Sequence, residues 1–261
     1  MRCKTEETEK RLEQAERIWL FLDYDGTLAD FAPTPDHILV DHELLELLTD
    51  LAAHPAIRVA IISGRGLPQI MKLVPVRGIL LAGSYGVELL TGEGERLNRL
   101  DLERFRPPIE RIKPAIEALV RDKEGYFIED KGWTLALHAR YADQVEAREV
   151  MSAARKLMGE TADREIYRVQ GGSKFLEIGP RSANKGRTIE YLLEDHPWPG
   201  SLLFYFGDDE RDEEAFQVIQ ERGGIACKVG HEEEQTAADC WLASPRAVRE
   251  WLRDFLEQLR G

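Results

Sequence analysis

Two aspartates one residue apart, Asp23 and Asp25, are the residues best placed for chemistry in this chain. They directly follow the apolar run 18–22 and precede Gly26. A short apolar run of this kind is typical of a strand that is buried on both faces of a parallel sheet. Because ligand sites in such sheets lie just beyond the carboxyl ends of the strands, the pair indicates a charged site rather than a turn that only ends a strand.

Three further polar segments stand at predicted strand ends or helix starts, and each of them alone would fit a helix cap or a surface feature. They are Ser63-Gly64-Arg65, Lys185, and Gly207-Asp208-Asp209 followed by Asp212. Carboxylates from two strands that meet at one edge would repel each other strongly without a cation. Oxygen ligands with open water positions suit Mg²⁺, which bridges to phosphate oxygens. Together the segments predict a magnesium site.

The composition limits the choice of partner. The chain of 261 residues is 43% hydrophobic and carries a formal net charge of −13, which disfavours nucleic-acid binding because such binding usually needs a basic face. An anionic substrate would therefore need positive charge supplied locally, by a metal or by placed Lys and Arg side chains. No apolar stretch approaches the ~20 residues that cross a bilayer, and residues 1–17 are too charged for a signal peptide. We expect neither a nucleic-acid nor a membrane partner.

The cysteines give a weaker indication of location. Cys3, Cys227 and Cys240 form no metal-spaced cluster, and their odd number argues against a disulfide framework. The sequence therefore predicts a protein of the reducing cytoplasm.

The elements that must position these residues predict an α/β protein with an insertion. Strands alternate with helices up to about residue 86, which is typical of a Rossmann-like parallel sheet. A helix, two strands, a helix and two strands then follow, and they predict a small open-faced α+β domain. We assign residues 1–100 and 177–261 to the α/β core and residues 101–176 to the inserted α+β cap.

With these four motifs in this order, the chain resembles the haloacid dehalogenase-like phosphatase superfamily. The resemblance implies that Asp23 attacks phosphorus and becomes an aspartyl phosphate. It implies that Asp25 acts as general acid to the leaving oxygen and then as base to the hydrolytic water. Ser63 and Lys185 would hold the oxygens of the transferring phosphoryl group, Ser63 by a hydrogen bond and Lys185 by its charge.

The same resemblance implies a ligand set for the metal. Mg²⁺ would be bound by Asp23, the backbone carbonyl of Asp25 and Asp208. Asp209 and Asp212 would orient the catalytic lysine or metal-bound water.

The remaining residues of the first two motifs would face the phosphorylated substrate. Backbone N–H groups near Gly26 and Thr27 would help to bind the phosphoryl oxygens. Gly64 and Arg65, beside the motif serine, are expected to contact the substrate as well.

Within the superfamily, the insertion resembles the α+β cap of type-2 members, and the chain is most similar to trehalose-6-phosphate phosphatases. The matching segments are 22–28 with the proline-rich stretch after it, 62–65, 134–138, 172–186 and 207–213. The resemblance implies Mg²⁺-dependent hydrolysis of trehalose 6-phosphate to trehalose and inorganic phosphate. The expected partner is thus a small phosphorylated sugar.

Lys174 and Glu177 are the sugar-binding residues that the resemblance implies. Their odd spacing would place them on opposite faces of an unbroken strand, so both reach one ligand only with a bend near Leu176. Tyr85 stands where the family commonly has His, and Gly179 stands where a basic residue is common. His138 and Arg140, on the cap hairpin, fit either a polar rim or a substrate contact.

Several other functions remain open from the sequence. Sucrose-6-phosphate and glycosyl-phosphoglycerate phosphatases share the motifs, and so does a sugar phosphomutase. A metal-dependent glycosyltransferase would leave Ser63, Lys185 and Asp208 unexplained. A non-enzymatic sugar-phosphate sensor would be expected to lack Asp23 or Asp25. The sequence carries no signal for the oligomeric state.

Overall fold

The computed structural model describes residues 1–31, 40–231 and 235–260. The chain forms two compact units: a core unit, Met1–Arg99 with Asn184–Gly261, and an inserted unit, Leu100–Ala183. The boundary predicted at 176/177 falls inside the strand Phe175–Pro180, which belongs entirely to the inserted unit. The proline-rich stretch after the first motif lies outside the described residues.

The first part of the core unit alternates strands and helices, and then ends in a hairpin. Its elements are β1 (Arg2–Cys3), α1 (Glu6–Glu13), β2 (Ile18–Leu22), α2 (His42–Ala53), β3 (Ile57–Ile62), α3 (Leu67–Leu73), β4 (Leu80–Gly83), β5 (Glu88–Leu90) and β6 (Arg96–Asn98). Asp41 caps α2, since its side chain accepts a hydrogen bond from the Leu44 N–H at 3.1 Å.

The inserted unit repeats a helix followed by two strands. Its elements are α4 (Leu102–Val120), β7 (Phe127–Asp130), β8 (Leu135–His138), α5 (Gln144–Thr161), β9 (Tyr167–Gly171) and β10 (Phe175–Pro180). Among the described residues the four strands form an antiparallel sheet in the order β7-β8-β10-β9. Leu176 and Ile178 pack with residues of both helices on one face of this sheet, which leaves the other face without a helix of the unit.

The second part of the core unit returns to the α/β pattern. Its elements are α6 (Lys185–Asp195), β11 (Leu202–Gly207), a short 3-10 helix (Glu210–Asp212), α7 (Glu213–Glu221), β12 (Ile225–Val229), β13 (Cys240–Leu242) and α8 (Pro245–Arg260). Among the described helices none is both long and apolar enough to span a membrane.

The strands of the core unit join in one sheet whose central part is parallel. Within the described residues its order is β1-β13-β12-β11-β2-β3-β4-β5-β6. The chain runs outward from β2 to β3 and β4, and then returns to place β11 on the other side of β2. Neighbouring strands β2 and β11 therefore form a topological switch point, where doubly wound sheets place their ligands.

The sequence of β2 explains why helices cover both faces of this sheet. Ile18, Leu20 and Leu22 pack in one apolar cluster with α2, α3 and α8, whereas Trp19 and Phe21 pack in the other with α6 and α7. All five side chains are buried. Alternation along the strand sends successive side chains to opposite faces, so a continuous apolar run fills both layers.

Two parts of the fold differ from the sequence prediction. The polar composition of residues 92–106 predicts a turn-rich segment, but β6 lies within it and pairs antiparallel with β5 at the sheet edge. The sequence predicts the next helix over residues 107–122, but α4 begins at Leu102. The Asp101 side chain accepts from the Glu103 N–H at 2.9 Å and starts the helix there.

The odd number of cysteines argued against a disulfide framework, but the structure contains a disulfide. Strands β1 and β13 pair antiparallel with Cys3 directly opposite Cys240, and the two are joined by a disulfide. The sulfur atoms meet because the first strand of the chain joins the edge of a sheet completed 237 residues later. The odd number of cysteines leaves Cys227 as a buried free thiol among the described residues.

Candidate active site

Asp23 and Asp208 lie side by side at the carboxyl ends of β2 and β11. The register pairs Leu22 with Phe206, and the Asp23 N–H donates to the Phe206 carbonyl at 2.9 Å. The Thr27 hydroxyl lies 3.3 Å from a carboxylate oxygen of each aspartate. The structure thus brings the first and fourth motifs together.

Gly26 makes room for this approach. Its φ is +84°, a left-handed conformation that favours glycine. A Cβ atom at this position would lie 2.1 Å from Oδ2 of Asp208. Any side chain here would displace Asp208 from the site.

Lys185 carries the positive charge into the same site. It is the first residue of α6, whose N-cap Asn184 accepts from the Arg187 N–H at 2.7 Å. Its ammonium group lies 2.7 Å from Asp23 Oδ1 and 2.6 Å from Asp212 Oδ1, and the residue is 3% exposed. A cation this deeply buried must be paired, so both aspartates fix its place.

Asp212 holds the other groups in place. Its Oδ1 accepts from Lys185 and from the Tyr205 hydroxyl at 2.5 Å, and its Oδ2 accepts from the N–H groups of Asp208 and Asp209 at 3.0 Å each. Two bonds on each oxygen fill the acceptor positions of a carboxylate. The side chain is therefore committed to orienting its neighbours.

The pKa values of Asp23 and Asp208 are raised, whereas that of Asp212 is lowered. Burial raises the pKa of Asp23 well above its ordinary value, against the attraction of Lys185. Burial also raises the pKa of Asp208 to about 6, with further contributions from Asp212 and Asp209. For Asp212, burial is outweighed by Lys185 and by hydrogen bonds, so its pKa is lowered. Burial would lower the pKa of Lys185, but Asp212 and Asp23 raise it.

These residues fit a divalent cation. Carboxylate oxygens of Asp23, Asp208 and Asp212 lie within 4.8 Å of one another. With Asp212 committed to its hydrogen bonds, Asp23 and Asp208 are the carboxylates suited to direct ligation. Hard oxygen donors of this kind bind hard cations. A cation beside Asp23 and Asp208 would offset both the burial and the like charge that raise the pKa of these carboxyl groups.

The second motif follows β3, on the other side of β2. Ser63 is buried, and its Oγ accepts from the Arg65 N–H at 3.1 Å. Arg65, predicted to contact substrate, forms a bidentate ion pair with Asp25: Nε and Nη2 each donate to a carboxylate oxygen at 2.7 Å. The structure therefore places a cation, Arg65, beside Asp25, the expected acid-base residue. The sequence did not predict this contact.

Asp209 lies outside the buried cluster. Its side chain accepts from the Arg211 N–H at 2.8 Å and caps the short 3-10 helix, with 41% of the side chain exposed. Its contribution to the site is the backbone N–H that it donates to Asp212.

In the inserted unit, Lys174 and Glu177 are not brought together. Strand β10 runs in unbroken register beside β8 and β9, so the bend that would unite them near Leu176 is absent from the described strand. Lys174 Nζ donates to the Ala142 carbonyl at 2.6 Å, beside the start of α5. Glu177 lies on the face without helices, as the odd spacing predicts.

The partners of Glu177 are residues that sequence reasoning missed. This buried carboxylate accepts from Lys131 at 3.2 Å and from Gln170 at 3.1 Å. Glu129 lies 3.7 Å from Lys131 and 3.1 Å from His138. The sequence did carry one indication of this cluster. Glu129 and Lys131 are two residues apart on the cap hairpin, and residues two apart on a strand share a face.

Comparison with known proteins agrees with this geometry. The sheet, the acidic cluster at its switch point and the inserted α+β unit define a haloacid dehalogenase-like phosphatase. A family model described as trehalose-phosphatase matches residues 21–246. The chain belongs to the trehalose-phosphatase family.

Individual relatives extend over most of the chain. A probable trehalose-phosphate phosphatase of Sinorhizobium fredii is 32% identical over 213 residues, 81% of this chain and 77% of the relative. Trehalose-phosphate phosphatase B of Arabidopsis thaliana is 29% identical over a match that covers 95% of this chain and 68% of the relative. The C-terminal domain of the Candida albicans trehalose-6-phosphate phosphatase superposes with a TM-score of 0.82 over 95% of both chains. At 23% identity this last match shows the fold.

Proposed function

We propose that this phosphatase hydrolyses trehalose 6-phosphate to trehalose and inorganic phosphate. The observation that carries the proposal is the buried contact of Asp23 with Lys185, beside Asp208, at the switch point of a trehalose-phosphatase family member. A carboxylate held beside a cation is equipped to approach a phosphoryl group, because the cation offsets the repulsion between the two anions.

In the proposed first step, a carboxylate oxygen of Asp23 attacks phosphorus and forms an acyl-phosphate bond. The bond between phosphorus and the sugar oxygen breaks, and the leaving oxygen takes a proton from Asp25. Lys185 and the Ser63 hydroxyl hold phosphoryl oxygens during the transfer, and donors of this kind are worth ~3–4 kcal/mol each.

In the proposed second step, Asp25 takes a proton from water while the water oxygen attacks phosphorus. The acyl-phosphate bond breaks, inorganic phosphate leaves and the Asp23 carboxylate returns. Arg65 orients Asp25 through its two hydrogen bonds, which keeps the acid-base oxygens directed by a rigid planar group.

Asp23, the backbone carbonyl of Asp25 and Asp208 would hold Mg²⁺, with Asp212 orienting Lys185. When bound, the ion supplies positive charge to the phosphoryl oxygens. The fit rests on the oxygen donors, on the raised pKa of Asp23 and Asp208, and on the space that Gly26 leaves beside Asp208.

For the sugar, we propose Glu177 with Lys131 as the residues that bind hydroxyl groups. A carboxylate accepts hydroxyl hydrogen bonds and an ammonium group donates them. Glu177 is 1% exposed and already paired with Lys131, so its geometry is set before a ligand arrives. Lys174 donates to the Ala142 carbonyl, and we propose that this bond supports the start of α5 and that Lys174 has the smaller part in sugar binding.

The test is a panel of phosphate esters assayed with Mg²⁺. We expect phosphate release from trehalose 6-phosphate at a kcat/KM at least about tenfold above that for sucrose 6-phosphate, glucose 6-phosphate or p-nitrophenyl phosphate. Asp23→Asn, purified in parallel, controls for contaminating phosphatases. Trehalose and phosphate must appear in equal amounts; a phosphorylated sugar isomer without phosphate release would instead identify a phosphomutase.

Predictions about location and partners stay predictions. The lack of nucleic-acid and membrane partners rests on composition, above all on the net charge of −13. Residues 100–183 contain equal numbers of basic and acidic residues, so this charge belongs to the core unit, where the phosphorylated substrate would meet Lys185. The cytoplasmic location rests on the odd number of cysteines, and the disulfide between Cys3 and Cys240 weakens that argument.

A further inference from the structure

A strained segment follows β4, beside the loop that carries Ser63. Ser84 and Tyr85 have φ angles of 51° and 57°, a left-handed conformation that is strained for a residue other than glycine. The two residues are 1% and 3% exposed, and the buried Ser84 hydroxyl has no hydrogen-bond partner among the described residues. Strain of this kind persists only where surrounding contacts determine it, and it concentrates at functional sites.

The backbone of this segment is bonded to the Ser63 loop. The Ser84 N–H donates to the Arg65 carbonyl at 2.7 Å, and the Tyr85 N–H donates to the Ser63 carbonyl at 2.9 Å. From the other side, the Thr188 hydroxyl of α6 donates to the Tyr85 carbonyl at 2.8 Å. The unusual backbone therefore directs two N–H groups at the two carbonyls that flank Gly64.

The Tyr85 side chain adds a second connection. Its ring lies against Gly64, where a Cβ atom would come within 2.9 Å of the ring. Its hydroxyl accepts from Arg211 Nη1 at 2.9 Å, and the guanidinium carbon lies 5.8 Å from the ring centroid. The Arg211 N–H in turn donates to Asp209. Tyr85 and Arg211 thus join the loop of Ser63 to the turn between Asp208 and Asp212.

We propose that Tyr85 and Arg211 are positioning residues that fix Ser63 and the Gly64 N–H relative to Asp23. The proposal rests on the proposed function and extends it to residues outside the four motifs. A donor displaced by about 1 Å can lose up to about 100-fold in rate. Strain at Ser84 and Tyr85 is the cost of holding the loop in this place.

The first test compares Tyr85→Phe, Arg211→Ala and the double variant. Tyr85→Phe keeps the ring beside Gly64 and removes the bond to Arg211. We expect each single variant to lower kcat about tenfold with KM within twofold of wild type, because a misplaced donor weakens the transition state more than substrate binding. The double variant should lose no more than either single one, since both break one contact. Arg246→Ala, on the exposed face of α8, is the matched arginine control.

The second test asks whether the effect passes through Ser63. In a Ser63→Ala background, Tyr85→Phe should lower kcat by a smaller factor than in wild type, because one of the two donors that it positions is already gone. Amide hydrogen exchange of residues 63–66 should be faster in Tyr85→Phe and in Arg211→Ala than in wild type. Arg211→Lys keeps a donor for the Tyr85 hydroxyl, so its exchange should be slower than that of Arg211→Ala.

The outcomes separate this proposal from the proposed function. A folded Tyr85→Phe protein with wild-type kcat, additive losses in the double variant, or an undiminished loss in the Ser63→Ala background would overturn it. If wild type hydrolyses another phosphate ester and not trehalose 6-phosphate, the substrate assignment fails and the same comparison is made with that ester. If wild type hydrolyses none, exchange at residues 63–66 decides the positioning role alone: unchanged exchange in Tyr85→Phe overturns it.

Discussion

The Lys185 ammonium group lies 2.7 Å from the Asp23 carboxylate, and both residues are almost completely buried. Removing one member of such a pair leaves an uncompensated charge. Asp212 limits this cost for Lys185, because it holds the same ammonium group at 2.6 Å. Asp23 can therefore change its bonding during a reaction while Lys185 stays in place.

We expect Asp23→Asn to lower phosphate release by at least about 1,000-fold, because an amide does not replace a carboxylate nucleophile. Folding should be retained. Since the pKa of Asp23 is raised by burial, its charged form is disfavoured in the folded protein, and the metal-free variant should melt above wild type at pH 7. Initial rates and thermal unfolding measure the two effects. The matched control is Asp50→Asn, because Asp50 lies in a surface ion pair with Arg260. Substantial turnover by Asp23→Asn would show that Asp23 is not the nucleophile.

The pH dependence of stability should report on Asp208. Its pKa is raised by burial from 3.8 to about 6 in the folded protein, so the folded state binds this proton more tightly than the unfolded state. Stability contributed by the protonated form is therefore lost as pH rises from about 4 to about 6. Denaturant unfolding of metal-free protein should show Asp208→Asn gaining stability relative to wild type across this interval and holding the gain above it. A constant difference at all pH values would contradict the raised pKa.

Mg²⁺ should raise the melting temperature of the wild type, because a ligand that binds only the folded state stabilises it. The increase should be larger at pH 7 than at pH 5, where Asp208 is mostly protonated. Asp208→Asn should abolish most of the shift, whereas Asp209→Asn should keep it, since the Asp209 side chain caps a helix outside the cluster. A full shift in Asp208→Asn would place the cation elsewhere.

Glu177 and Lys174 should behave differently when substituted. Glu177→Gln is expected to lower kcat/KM for trehalose 6-phosphate by about 10- to 100-fold, the value of a hydrogen bond to a charged group, and to change p-nitrophenyl phosphate hydrolysis less than threefold. Lys174→Met loses the bond to the Ala142 carbonyl, so it should lower the melting temperature and affect both substrates equally. Equal losses for the two esters in Glu177→Gln would argue against sugar binding at this residue.

The positions of the motif residues in the core unit could be predicted because they depend on local pattern. An apolar run marks each strand, and the carboxyl ends of parallel strands meet at one edge. Asp23, Ser63 and Asp208 could therefore be assigned to one region from the sequence. The fold class follows from the same alternation of strands and helices.

Contacts between distant side chains could not be predicted in this way. The pairing of Arg65 with Asp25 depends on rotamers across two neighbouring strands, and the disulfide depends on which strand closes the sheet edge. Lys131 directly follows β7, and its side chain reaches Glu177 two strands away. Spacing along the chain carries no information about these distances.

The strand order has a consequence for synthesis of the protein on the ribosome. Strand β2 emerges with Asp23 long before β11, its neighbour at the switch point, because the whole inserted unit lies between them. Until β11 arrives, one edge of β2 offers unpaired N–H and C=O groups, and such an edge recruits strands from other chains. Translation that stops within the insertion would therefore release a fragment prone to aggregate.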